Sequence, residues 1–359
     1  MAYRAVGSGY RSVNSTARVS RNGRESFGLR APGTLEAGET PCYPRRVRGH
    51  YWTLRPFLRH VFRPETPPPS RHFRAAVADP VAGEVTLTGR LQEHDSRDLV
   101  LVVHGLGGSH ASNYAIAMAA ACARAGIDCL RICLRGADRR GHDVYHAGLK
   151  ADLEAIFASP DLARYEAIRL IGYSMGGHVA LRYASTTPDE RLRCLVTVCT
   201  PLDLEAGCHE IDRPRRALYR RNVLRGLKEI YAAVAERGGP QPAPLERVRA
   251  ITTLEDWDET VVARRFGFAD ARDYWRSQSA GPRLGHLQVP TLSVVTRHDP
   301  MVLFHTLEPH LDANPHVERI VLEEGGHVGF PPDIDLGLRP APGGTGVSAQ
   351  LLGWMRGHG

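Results

Sequence analysis

Residues 168–177 read Ile168-Arg-Leu-Ile-Gly172-Tyr-Ser174-Met-Gly176-Gly177. The run up to Gly172 has the apolar character of a strand buried on both faces, and a stretch of helical spacing, 177–186, follows it. Ser174 stands between the two, with a glycine two residues to either side. That spacing lets backbone segments approach a sharp strand-to-helix turn without a Cβ clash. A serine on such a turn presents its hydroxyl at the end of a sheet, as a nucleophile must. Gly-x-Ser-x-Gly also occurs in ordinary glycine-rich turns, so the strand before it and the helix after it give the motif its weight.

Outward from this turn, short β-rich runs alternate with helical stretches from about residue 84. Strands are expected at 84–91, 98–103, 127–133, 167–172, 193–199, 290–296 and 317–322, and helices at 112–125, 148–158 and 177–186, with Gly126 as a helix stop. The alternation predicts an α/β fold with a mostly parallel central sheet flanked by helices. It breaks over 203–286, an Arg-rich segment with helical patterns around 214–236 and 246–276, which is expected to form a helical cap over the site. The core is then 47–202 together with 287–359. Residues 1–46, rich in Arg, Ser and Gly and without an apolar period, are expected to be a basic, disordered extension.

A serine hydroxyl needs a base to take its proton at neutral pH. His327, in Gly325-Gly-His327-Val-Gly-Phe330 after the last predicted strand, sits on a loop that can reach the serine. An acid that fixes the imidazole tautomer is offered by Asp299, just after the predicted strand 290–296. The alternatives are a surface histidine and a turn-forming Asp-Pro. An oxyanion hole needs backbone N–H groups aimed at the developing charge. His104-Gly-Leu-Gly-Gly108 follows an early strand, so the N–H groups of Leu106 and Met175 are the expected donors. That loop lacks both Gly-x-Gly-x-x-Gly and a Lys-Ser/Thr phosphate signature. Neither His142, His146, His178 nor His327 falls in a metal-ligand spacing, so no metal and no cofactor are expected.

The 359 residues are 42% hydrophobic and 24% charged, enough for one large core with an insertion. Seven cysteines at 42, 122, 129, 133, 194, 199 and 208 form no Cys-x-x-Cys pair and sit largely in apolar runs, which predicts reduced thiols and a cytoplasmic location. No run is long enough to cross a membrane, so no stable membrane insertion is expected. The formal charge of +7 comes without any nucleic-acid-binding motif, and no nucleic-acid partner is expected. The sequence leaves the oligomeric state open.

With these residues in place, the chain from about 70 to 356 resembles the YheT-like branch of the α/β-hydrolases. The resemblance is carried by His104-Gly-Leu-Gly-Gly108, the serine turn, Leu134-Arg-Gly136, Tyr145-His-Ala-Gly148, Gly267-Phe-Ala-Asp-Ala-Arg-Asp-Tyr-Trp275, Val289-Pro-Thr, Asp299-Pro-Met and the His327 loop. The order Ser174, Asp299, His327 is the one these enzymes use. The chain departs from the branch at His298, where many relatives carry a second aspartate, and at the Pro/Gly-rich stretch 331–346. The resemblance implies a carboxylesterase acting on a small ester or lipid-like substrate of short to medium acyl length. Acyl transfer to an alcohol, or a binding protein that has kept the fold without turnover, are the alternatives. Trp257, Phe266, Phe268 and Trp275 either line an apolar pocket or pack the cap on the core.

Overall fold

The computed structural model describes residues 45–63, 65–315 and 317–358. Eight strands form one sheet: β1 (Arg71–Asp79), β2 (Gly83–Gln92), β3 (Asp98–Val103), β4 (Asp128–Cys133), β5 (Ala167–Tyr173), β6 (Leu192–Val198), β7 (Thr291–Thr296) and β8 (Glu318–Leu322). Their spatial order is β1-β2-β4-β3-β5-β6-β7-β8. β1 and β2 pair antiparallel, as do β2 and β4, and every other pairing is parallel. Every residue of β4, β5 and β7 is buried, as expected of strands whose two faces are both covered by helices.

Six of the helices bear on the site: α1 (Arg45–Phe62), α2 (Asn113–Ala125), α3 (Ala151–Phe157), α4 (Met175–Ala184), α5 (Leu204–Ile211) and α6 (Ala217–Glu236). Gly126 ends α2 with φ +66°, the left-handed stop expected of it. Two apolar clusters fill the faces. One is built around Val100, Met118 and the C-terminal helix Gly346–Arg356, the other around Leu101, Phe157, Val179 and the helices between β6 and β7. Over 204–286 every element is a helix, separated by turns such as 237–244, and 246–276 is broken into short pieces. These are Leu245–Arg249, Leu254–Trp257, a π-helical turn Asp258–Ala263, Arg264–Phe266 and Ala271–Gln278. Gly267, at φ +76°, separates the last two.

Among the elements not anticipated are the helices Leu204–Ile211, Phe304–Asp312 and Gly346–Arg356, together with β1 and α1. β1 buries only Phe73 and Val77, and Arg71, His72 and Arg74 mask its period-two pattern, as befits a charged edge strand. α1 begins at Arg45, so residues 45 and 46 of the expected extension are helical, while 1–44 lie outside the described residues. A basic helix interrupted by Pro56 has little intrinsic reason to form, and tertiary contacts hold it. Among the described residues, no helix is long and apolar enough to cross a membrane.

Candidate active site

Ser174 occupies the turn between β5 and α4 at φ +52°, ψ −124°, a conformation an L-residue adopts only under constraint. The flanking glycines make it possible. A Cβ on Gly172 would lie 2.4 Å from the Gly177 backbone, and one on Gly176 would lie 2.4 Å from the His104 carbonyl oxygen. β5 lies at the centre of the sheet, and the serine sits at its carboxyl end, where open α/β sheets place their sites.

The structure brings Ser174, His327 and Asp299 together. His327 Nε2 is 2.9 Å from Ser174 Oγ, and His327 Nδ1 is 2.8 Å from Asp299 Oδ2. A carboxylate only accepts, so Nδ1 carries the proton and Nε2 accepts from the serine hydroxyl. The other oxygen of Asp299 accepts the N–H groups of Met301 and Val302 at 2.8 and 2.9 Å, which fixes the carboxylate plane. Asp299 and His327 are both buried.

Two residues that sequence reasoning did not assign to the site, Thr53 and Cys199, hold this arrangement. Thr53 of α1 accepts the His327 backbone N–H at 2.8 Å and donates its own hydroxyl proton to Gly49. The contact is close, since a Cβ on Gly329 would fall 2.0 Å from the Trp52 carbonyl oxygen. Gly49 in turn abuts the His298 carbonyl, so His298 meets α1 through its backbone. Cys199, at φ +50° after β6, accepts the Val328 N–H at 3.4 Å, and burial pushes its thiol pKa up. Its Sγ, Asp299 and His327 offer atoms within 4.8 Å of one another, although hydrogen bonds already engage both partners. Its place at the end of the strand beside β5 was the one signal available.

The loop 104–108 is pinned atom by atom. His104 accepts the Leu134 N–H at Nε2, so its Nδ1–H donates to the Gly105 carbonyl at 2.7 Å; burial lowers its pKa to about 4, which keeps it neutral. The Gly105 N–H donates to the Tyr114 hydroxyl and the Gly107 N–H to the Tyr145 hydroxyl, both at 2.9 Å, while the Gly108 N–H returns to the Gly105 carbonyl. Among the described residues nothing accepts the Leu106 N–H. Met175 opens α4, where leading N–H groups lack intrahelical acceptors. Leu106 and Met175 both line the cavity that holds Ser174.

That cavity has a volume of about 900 Å³ and runs between the sheet end, α1, α5, α6 and the segment 254–274. Of the four aromatics singled out in the inserted segment, Trp257 lines it; Phe266 and Phe268 pack on the His146 ring, and the Trp275 indole donates to Asp258 at 2.7 Å. Tyr145-His-Ala-Gly148 is the receiving surface: the Ala147 N–H donates to the Tyr274 hydroxyl, and a Cβ on Gly148 would strike Gln278.

Asp258 lines the cavity too, half-buried and with like-charged Asp212 nearby. Burial first, then Asp212, raises its carboxyl from the ordinary 3.8 to about 7. Stability from a raised acid is complete below its unfolded value and is lost as pH rises through its folded value. Asp258→Asn should therefore melt higher than wild type at about pH 8 and no higher at about pH 4, as thermal denaturation at the two pH values will show.

A family model described as "alpha/beta hydrolase fold" matches residues 98–223. The Escherichia coli (strain K12) protein named "Putative esterase YheT" is 31% identical over 243 residues, covering 64% of this chain and 70% of that one. A Saccharomyces cerevisiae monoacylglycerol lipase is 21% identical over 168 residues, 45% of this chain but only 37% of its own length. A solved structure, the Pyrococcus furiosus esterase Pf2001, overlays with a TM-score of 0.48 at 16% identity, covering 72% of this chain and 84% of that one. The chain belongs to the α/β-hydrolase superfamily, in its YheT-like branch.

Proposed function

We propose that the protein is a serine hydrolase of carboxylic esters, with Ser174 as nucleophile, His327 as base and Asp299 as the acid that orients it. The observation that carries this reading is the unbroken line from Asp299 through His327 to Ser174 Oγ, opening on a largely apolar cavity. His327 takes the hydroxyl proton as Oγ attacks the ester carbonyl, and the N–H groups of Leu106 and Met175 receive the charge on the carbonyl oxygen. The protonated imidazole gives its proton to the departing alcohol. Water, deprotonated by the same imidazole, then splits the acyl-enzyme and restores the serine. No metal or cofactor enters these steps. The segment 203–286 acts as the cap, and the cavity suits an acyl ester of short to medium length or a lipid-like ester. Relatives named as an esterase and a monoacylglycerol lipase support the substrate class. The six described cysteines are free and buried, which supports a reducing, cytoplasmic setting.

The test is labelling by a fluorophosphonate probe, followed by p-nitrophenyl esters of increasing acyl length. Labelling with an optimum at one chain length is expected, and adding an alcohol to the reaction separates hydrolysis from acyl transfer. Well-folded protein that neither labels nor turns over esters would be a binding protein instead.

The pinned loop makes a narrower claim. Tyr145→Phe removes the acceptor of the Gly107 N–H beside Leu106 and touches no reacting atom. It should lower kcat about 10- to 100-fold with KM nearly unchanged, the split expected when a transition-state donor is misplaced.

A further inference from the structure

Among the described residues the large hydrophobic side chains that stand exposed are Val47, Leu58, Phe62, Val81 and Leu218. Three of these five lie on α1 and one on α6. Leu58 and Leu218 also line the catalytic cavity, so they mark its mouth. On α1 the residues Leu54, Leu58 and Phe62 are spaced four apart and form one line along the helix, from a cavity-lining residue to one 79% exposed. Arg55 and Arg59 form the adjacent line, continued by Arg63 just past the helix, and all three are exposed. Across the mouth, Arg221 and Arg225 of α6 are exposed beside Leu218. Neither α1 nor residues 217–228 of α6 contain Asp or Glu; next along the chain come Glu65, two residues after Arg63, and Glu229, which pairs with Arg139.

We propose that this face, the Leu54-Leu58-Phe62 line and Leu218 with the arginines around them, docks the cavity mouth on an anionic lipid surface. The charge selects the partner, because a face with arginines in excess over acidic groups is drawn to anionic headgroups. The apolar line selects the depth. Leucine and phenylalanine enter the headgroup boundary while the arginines beside them stay at the polar level, as in helices that lie in the interface plane. Nucleic acid would satisfy the arginines but leave the apolar line in water. The stripe runs into the cavity, so an ester held in the bilayer passes to Ser174 along apolar surface; that consequence rests on the hydrolase reading, whereas the docking does not.

The experiment sediments the full chain with vesicles of phosphatidylcholine alone, or of phosphatidylcholine with one third phosphatidylglycerol. Binding to the anionic vesicles is expected to exceed that to the neutral ones about tenfold or more at low salt and to weaken as salt rises. Phe62→Ser combined with Arg59→Glu changes two exposed residues that do not line the cavity. This variant should lose about tenfold or more in binding, yet turn over a soluble ester without vesicles within about twofold of wild type. Wild type that stays in the supernatant with both vesicles, or a variant that binds as wild type does, overturns the proposal. Retention on duplex DNA in place of vesicles also overturns it and assigns the arginines to nucleic acid. If no ester is turned over, an unchanged thermal transition replaces turnover as the control for folding, and the vesicle result still decides.

Discussion

Ser174→Ala is expected to lower kcat/KM toward esters by about 10⁶-fold and to abolish fluorophosphonate labelling, while the protein stays folded. The size follows from covalent catalysis, because without Oγ no acyl-enzyme forms and only transition-state binding by the surrounding groups remains. The fold is spared because the strained φ of +52° is held by the backbone. The Ser174 N–H donates to the Val198 carbonyl at 2.8 Å, and the Ser174 carbonyl accepts the Gly177 N–H at 3.0 Å. Alanine keeps the same Cβ and both bonds. Kinetics with a p-nitrophenyl ester and a melting curve on the same sample check the two halves. Turnover near wild type would remove Ser174 from the mechanism.

The largest expected effect on stability lies away from the serine. Arg135, 1% exposed, donates to Asp152 through Nε and Nη2, and to Asp79 and Asp143 through Nη1, at 2.7 to 2.9 Å. Arg265, from the segment between β6 and β7, binds Asp79 and Asp143 as well. Two guanidinium groups thus serve three carboxylates and tie the end of β1, the loop after β4, α3 and the inserted helices together. Arg135→Met should cost about 3–5 kcal/mol, because the carboxylates it leaves stay buried with too little positive charge. Arg135→Lys should restore little, since one ammonium cannot span the three partners as the planar fork does.

Burial pushes Asp79 upward, but N–H groups of Ala82 and Val81 and then both guanidinium groups outweigh it and hold Asp79 below the usual range. For Asp152 burial prevails even against Arg135, and its carboxyl lies above the usual value. Removing Arg135 drives both upward, so the variant's deficit should widen as pH rises from about 4 to 8. Denaturant midpoints at the two ends of that range measure it.

What the sequence disclosed and what it hid divide along a physical line. β3 and β5 were legible because a strand buried on both faces is apolar at most positions, and the serine turn was legible because its geometry demands glycine at 172 and 176. His327 and Asp299 could be placed because each follows a recognisable strand. β1 was hidden because Arg71, His72 and Arg74 occupy the solvent side of an edge. α1 was hidden because its order comes from contacts with residues 219 and 298–329, and no local pattern encodes those. The same holds for Thr53, Cys199 and Tyr114, whose roles depend on partners brought near only by folding. Tyr145 was noticed as part of a motif, but a packing surface and a hydroxyl that accepts the Gly107 N–H look alike in sequence.

The hydrogen bond from His327 to Thr53 joins residues 274 positions apart. Contacts so distant in sequence are costly to close and tend to form late, after local helices and adjacent strands are in place. The serine turn, by contrast, needs only β5, α4 and their immediate neighbours. On the proposed reading, Ser174 is therefore expected to be in place before His327 is seated, and the proposed pair forms only once residues 53 and 327 have met. Ester turnover in a refolding experiment should consequently lag behind the recovery of helical signal. If Ser174 and His327 act as proposed, activity then reports the last long-range contact, and a half-folded molecule is chemically silent.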